Sequence, residues 1–393
     1  MKTAEAMTDP IDTIVVGRHD WPNPPSENTV DLPVLRGLQQ RLGGRMLVVV
    51  GTSSGRLSLW RHGDLEIVQL PMRRRTSFLR DVYRLSEAAI ARSTAGTVFV
   101  ASDVWGGLVG TRISRRTCVP FVMQVQGDIL SPGPEYGSGM KRLLLSRAAR
   151  VGVRSAAAVR CLNTQIERSV LEVAPRAHTA VLGSRVDVEL FRYRGADRQT
   201  SLDGPVITCV GTLSELKNQH LLIEALRACA DELPHARLQL IGTGESEGNL
   251  RAITKRQGLD DRVDFRAHVP NQELPGLLAA SDIFAFPSQS EGQPRAVLEA
   301  LAVGLPVVAS DIPAHEGVVI DGATGLVRPT NDPDAWASAF IDLAGQPELR
   351  SRLSSAGREL VQAHHAFEPQ LDRFAELIRR VASRTGRGER FGR

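Results

Sequence analysis

Glu291 and Glu299 stand on either side of Pro294, with seven residues between them, in a stretch (281–310) that reads SDIFAFPSQSEGQPRAVLEALAVGLPVVAS. The apolar run 283–286 has the length and composition of a buried strand. Turn-forming residues fill 287–293, a helical pattern starts at Pro294 and stops at Gly304, and 305–309 is β-rich again. Strand, loop, helix and strand make one βαβ crossover. Proline suits the first helical turn, where a missing N–H loses no partner. The free N–H groups at that start, those of Arg295, Ala296 and Val297, can hold phosphate. Two carboxylates beside an anion site repel phosphate, so they suit hydroxyl groups instead. The plain alternative is an ordinary crossover with surface glutamates.

A ligand with phosphate in the middle and hydroxyls at both ends satisfies that set, and a nucleotide sugar is such a ligand. The pattern S-E-G-x-P-x-x-x-L-E-A-x-A-x-G-x-P-V-V-A-S over 290–310 resembles the donor-site signature of the retaining GT-B glycosyltransferases of family 4. The resemblance implies an α/β chain of the GT-B fold, two doubly wound Rossmann-like domains facing across a cleft. It implies transfer of a sugar from a nucleotide-sugar donor to an acceptor hydroxyl, with no metal and no further cofactor. In that frame Glu291, with Gly292 and Gln293, holds hydroxyls of the donor sugar. The helix start at Pro294, Arg295, Ala296 and Val297 takes the diphosphate, and Glu299 takes the ribose hydroxyls.

Other stretches extend the resemblance. Residues 206–211 (VITCVG) read as a strand, and the family continues it as G-R-L-x-x-x-K-G. Gly211 and Lys217 match, while Thr212 stands where an arginine is expected. Lys217 then neutralises the diphosphate alone, without the bidentate fork an arginine adds; Arg295 and the arginines of the first half are candidates to fill in. Gly244 permits close backbone approach, and the strand end near Val269 would hold the base through backbone groups. Gln126 occupies the position of a donor-contacting histidine; glutamine can bond a hydroxyl but cannot carry the proton charge. Asp128 beside it either receives the acceptor hydroxyl or caps a turn. The first strand, 12–17, leads into RHDWPNPPSENTVD, which lacks the family's Gly-Gly. There His19, Asp20 and Trp21 face the acceptor, or form a surface loop around a packed tryptophan. Asp332-x-Asp334 reads as a helix-capping turn rather than a metal site.

Two rival readings remain. A GT-B-like sugar-nucleotide epimerase would change the donor with no acceptor present. A degenerate, binding-only protein would hold the donor without releasing nucleoside diphosphate; Thr212, Gln126 and the missing Gly-Gly favour it.

The elements that must position these residues follow from length and pattern. At 393 residues the chain has room for two domains, each with a core. Apolar strands alternate with helical patterns throughout, as in doubly wound sheets. Residues 103–107 read as a Gly-rich loop at the C-terminal end of a strand. The polar stretch 194–203 sets the boundary: an acceptor-side domain over 1–198 and a donor-binding domain over 199–367, with a last helix from about 368 crossing back to the first.

Residues 1–200 hold 28 Lys and Arg against 18 Asp and Glu, a net of +10, and the remainder nets −6. A basic half suits nucleic acid, an anionic membrane or an anionic substrate, but no nucleic-acid motif is present. The pattern 140–154 is a helix with Lys141, Arg142, Arg147, Arg150 and Arg154, its leucines on one side. It reads either as an interfacial helix drawn to anionic lipid or as a solvated basic face over a normal core. The four cysteines form no C-x-x-C, and the acidic N-terminus lacks an apolar signal core. Both argue for a reduced, cytoplasmic chain, with peripheral contact at the inner membrane face left open. The acceptor is a glycan, a lipid-linked saccharide or a small metabolite.

Overall fold

The computed structural model describes residues 12–21, 32–53, 56–72, 75–91, 93, 96–133, 136–192 and 204–385. The chain divides into two compact units, Met1–Gly183 with Leu371–Arg393, and Ser184–Gln370.

The first unit runs β1 (Thr13–Asp20), α1 (Leu32–Leu42), β2 (Met46–Thr52), β3 (Ser58–His62), β4 (Leu65–Pro71), α2 (Arg75–Ile90), β5 (Val98–Ala101), α3 (Val104–Thr117), β6 (Phe121–Val125), α4 (Gly139–Ser155), β7 (Ala158–Cys161), α5 (Thr164–Val173) and β8 (Thr179–Val181). The described strands form one sheet in the order β3-β4-β2-β1-β5-β6-β7-β8. Every pairing is parallel except the β3–β4 hairpin. Period-two alternation feeds two cores. Ile14, Val16, Leu47 and Val49 face one layer, and Val15, Met46, Val48 and Val50 face the other. The second layer also takes Phe374, Ala375, Ile378 and Val381 from the last helix.

The second unit runs β9 (Val206–Val210), α6 (His220–Ala228), β10 (Arg237–Ile241), α7 (Glu247–Arg256), β11 (Val263–Arg266), α8 (Leu274–Ala279), β12 (Ile283–Phe286), α9 (Arg295–Val303), β13 (Val307–Ser310), β14 (Leu326–Arg328), α10 (Pro333–Gly345), α11 (Pro347–His364) and α12 (Phe367–Thr385), which continues into the first unit. Its sheet is parallel, in the order β11-β10-β9-β12-β13-β14.

The structure revises four expectations. Residues 103–107 are no loop. Asp103 caps α3, its carboxylate accepting from the Gly106 N–H at 2.6 Å. Gly106 and Gly107 lie inside the helix, where a Cβ would come within 3.1 Å of the Val16 carbonyl and 3.2 Å of the Met123 side chain. The glycines let α3 sit close on the sheet. Strand β3 went unforeseen because Trp60, Arg61 and His62 give it an exposed, polar edge. Pro294 is the residue before α9, extended at φ −74° and ψ 120°, not the first helical residue. Finally, the units part at residue 183 rather than in the polar stretch 194–203. Val186 and Phe191 are buried in the second unit's core. The stretch 193–203 itself lies outside the described residues, as do the loop 22–31 and the side chains of His19 and Asp20.

Trp21 is a packed core residue. Asp332 caps α10 by accepting from the Ala335 N–H at 3.0 Å, as the capping-turn reading has it. Cys161, Cys209 and Cys229 are buried, and burial pushes their thiols up to about 12, about 12 and about 11. Cys118 is exposed, in the left-handed conformation that ends α3.

Candidate functional site

The strand order of the second sheet reverses between β9 and β12, the place where doubly wound sheets take ligands at the strands' C-terminal ends. The loops leaving those two strands lie side by side. The Gln289 N–H donates to the Leu216 carbonyl at 2.9 Å. Asn218 donates its side-chain amide to the Pro287 carbonyl at 3.1 Å and to that of Thr330 at 2.8 Å. Asn218 holds φ 58°, a conformation asparagine tolerates better than most residues. It stands where the family motif has glycine.

This juxtaposition carries Lys217 onto Glu291, 74 positions away, where ammonium and Oε1 form an ion pair. The ammonium also lies 5.2 Å from the centroid of the Phe286 ring. Ser288 donates to the same carboxylate oxygen at 2.7 Å. Behind it, Ser310 donates to the Ser288 carbonyl, and His315 Nδ1 reaches the Ser310 carbonyl at 2.8 Å. Ser288, Ser310 and His315 are all buried. Burial lowers the His315 pKa, so the ring is neutral at physiological pH and its Nδ1–H donates. A continuous buried chain thus runs from His315 to Glu291. No sequence reading named these three residues, because the chain exists only once β12 and β13 pair, Phe286 against Ala309.

Helix α9 follows the Glu291 loop. Residues 297–303 are buried on every side, which is why this part of the helix is apolar except for Glu299. No side chain caps its start, so the first N–H groups (Arg295, Ala296, Val297) keep the partial positive charge of a helix N-terminus. Glu299 is 6% exposed. Burial raises its pKa, while Arg295, whose Nη2 lies 3.5 Å from Oε1, pulls it down. Arg295 is therefore engaged with Glu299.

The remaining candidates fall as follows. Gly211 and Thr212 open the loop after β9, with Thr212 exposed. The close approach at Gly244 is to the protein's own backbone: a Cβ there would lie 2.1 Å from the Leu213 carbonyl. Val269 is half-buried against the Phe284–Val297 core. Gln293 is tied to the start of the unit, its side-chain oxygen accepting from the Ser184 N–H and its carbonyl from the Ser184 hydroxyl at 3.1 Å. Gln126 and Asp128 belong to the first unit, after β6. Gln126 is exposed, and Asp128 accepts from the Ser131 N–H at 3.1 Å, which serves its turn. Among the described residues no three His, Cys, Asp or Glu side chains gather as a metal site.

Two doubly wound sheets, the second with an uncapped helix start and acids at its switch point, define a protein of the GT-B fold. Residues 196–360 match the model of the family described as glycosyl transferases group 1. The GDP-mannose-dependent alpha-(1-6)-phosphatidylinositol monomannoside mannosyltransferase of Mycolicibacterium smegmatis is 31% identical, over 52% of this chain and 57% of that protein. The alpha-D-kanosaminyltransferase of Streptomyces kanamyceticus is 27% identical, over 68% of this chain and 72% of that one. The chain spans about half the length of the first three curated relatives it matches, 51–57% of each. Among solved structures, sucrose-phosphate synthase from Thermosynechococcus elongatus superposes with a TM-score of 0.78 at 20% identity, covering 96% of this chain and all of that one. Anabaena HepE, solved with UDP and glucose, gives 0.72 at 19% identity, over 94% of this chain and 99% of that one. At such identities these structures speak for the fold.

Proposed function

We propose that the protein is a retaining glycosyltransferase that moves a sugar from a nucleotide-sugar donor to an acceptor hydroxyl. The observation that carries this reading is the meeting of Lys217 and Glu291 beside the uncapped start of α9, with Glu299 buried behind. Lys217 and Glu291 pair with one another. A donor would part them, taking the ammonium to its diphosphate and the carboxylate to its sugar hydroxyls. The α9 amides add to the diphosphate site, and Glu299 takes the ribose. The bond from the anomeric carbon to the diphosphate oxygen breaks, and its electron pair stays on that oxygen. The acceptor hydroxyl bonds to the anomeric carbon on the same face and passes its proton to the departing diphosphate. The protein's share is positioning and charge stabilisation. Gln126 and Asp128 enter this scheme through the family resemblance alone. A reduced cytoplasmic setting goes with it, and a glycan, a lipid-linked saccharide or a small metabolite as acceptor.

The direct test is thermal unfolding with GDP-mannose, UDP-glucose and related nucleotide sugars. A bound donor at about a hundred times its Kd should add about 2.7 kcal/mol and raise the midpoint. Silence across the whole panel would refute the reading. A shift without nucleoside diphosphate release, across a set of hydroxyl acceptors, would favour the binding-only alternative.

The buried chain behind Glu291 makes a finer prediction. Ser288→Ala removes the hydroxyl that fixes the carboxylate. Affinity for the nucleotide sugar should fall about tenfold, the worth of a hydrogen bond to a charged group. Affinity for the nucleoside diphosphate alone should hold, since Glu291 meets only the sugar. Calorimetry with both ligands measures the difference, and an equal loss of both would mean Ser288 serves the fold instead.

A further inference from the structure

We infer that α4 is a docking surface for an anionic phospholipid membrane. Among the described residues eight large apolar side chains are exposed, and four of them lie on this helix: Met140 at 69%, Leu143 at 45%, Leu144 at 56% and Val151 at 41%. Their spacing puts Met140, Leu144 and Val151 on one stripe, at i, i+4 and i+11, with Leu143 beside it. The core is served by the opposite side, where Ala148, Ala149, Gly152 and Val153 are buried. The leucines that could have been inner-face residues of an ordinary helix are therefore turned outward.

Arg147 and Arg154, at i+7 and i+14 from Met140, share that outward side with Arg150, while Lys141 and Arg142 lie toward the core side. Lys141, Arg147 and Arg154 are exposed and Arg142 and Arg150 are half-buried, while the helix holds no acid. No carboxylate among the described residues forms an ion pair with any of the five. Ordinary soluble surfaces intersperse both signs of charge. Apolar side chains among unpaired cations match the interface of an anionic bilayer. The short apolar groups enter the acyl boundary, and the long stems of Lys and Arg carry their charges out to the phosphates. This charge complementarity selects lipid over a second copy of the chain, whose same helix would meet it with like charge. No described helix is long and apolar enough to cross a membrane, so the contact is a surface one. The inference stands apart from the donor reading.

The test is co-sedimentation of the full chain with vesicles of neutral phosphatidylcholine and with vesicles containing about 30 mol% phosphatidylglycerol. Binding should appear with the anionic vesicles only and fade at about 1 M salt, where charges are screened within about 3 Å. Arg147→Glu with Arg154→Glu should weaken it at least about twenty-five-fold, from about fivefold for each charge removed. Leu143→Ser with Leu144→Ser should weaken it about tenfold or more. Both pairs alter exposed residues, and an unchanged thermal midpoint verifies that they fold. Equal binding to neutral vesicles, no binding, or indifference to both pairs would overturn the inference. So would a wild-type dimer in solution that the Leu143→Ser, Leu144→Ser chain lacks.

Discussion

Lys217→Ala is expected to lower kcat by about a hundredfold to a thousandfold, the cost of removing one aimed charge stabiliser of a leaving group. The effect is large because little stands in for it. Thr212 occupies the place of the family's second cation, and Arg295 is drawn to Glu299 at 3.5 Å. The helix amides remain, but they bear partial charges only. The substitution also leaves Glu291 without its counter-ion, in a pair whose side chains are only 22% and 13% exposed. An uncompensated carboxylate there repels the incoming diphosphate. Adding Glu291→Gln to Lys217→Ala should therefore recover affinity for UDP or GDP while kcat stays low. Steady-state rates at saturating donor, with calorimetry of the nucleoside diphosphate, separate the two effects. A kcat within about threefold of wild type would place diphosphate stabilisation elsewhere.

Glu299→Gln should change stability and binding in opposite directions. Burial raises the folded-state pKa of Glu299. The folded chain therefore holds the proton more tightly than the unfolded chain. Stability from this group is fully present below the unfolded glutamate pKa, about 4.3, and declines as pH rises from there through the folded value. Glutamine does not ionise, so the variant should be more stable than wild type at neutral pH, and the gap should close near pH 4. On the proposed ribose role, binding of UDP or GDP should weaken about tenfold to a hundredfold, since charged hydrogen bonds would become neutral ones. Urea unfolding at the two pH values and calorimetry supply both readouts. A residue kept for packing would move stability alone; one kept for a ligand gives up stability for it.

Where local pattern decides structure, the sequence was legible. The apolar run 283–286 is the strand Ile283–Phe286, and the basic helical pattern 140–154 lies inside the helix Gly139–Ser155. The loop and helix carrying Glu291 and Glu299 were visible because their residues are contiguous. What escaped notice depends on strands meeting. The Ser288, Ser310 and His315 chain needs β12 beside β13, and the Lys217–Glu291 pair needs β9 beside β12. The edge strand β3 lacks the apolar run that marks a strand, since a hairpin edge buries little. Asn218, where the resembled motif has glycine, holds a left-handed backbone that asparagine tolerates.

The four cysteine thiols are unequal. Three sit where neither solvent nor a base reaches them, and each clings to its proton far above neutral pH. The fourth, Cys118, is the one in contact with water. A maleimide dye should therefore label one position per molecule without prior mutagenesis. The disulfide that air oxidation can form between two molecules joins them through Cys118, at the end of α3.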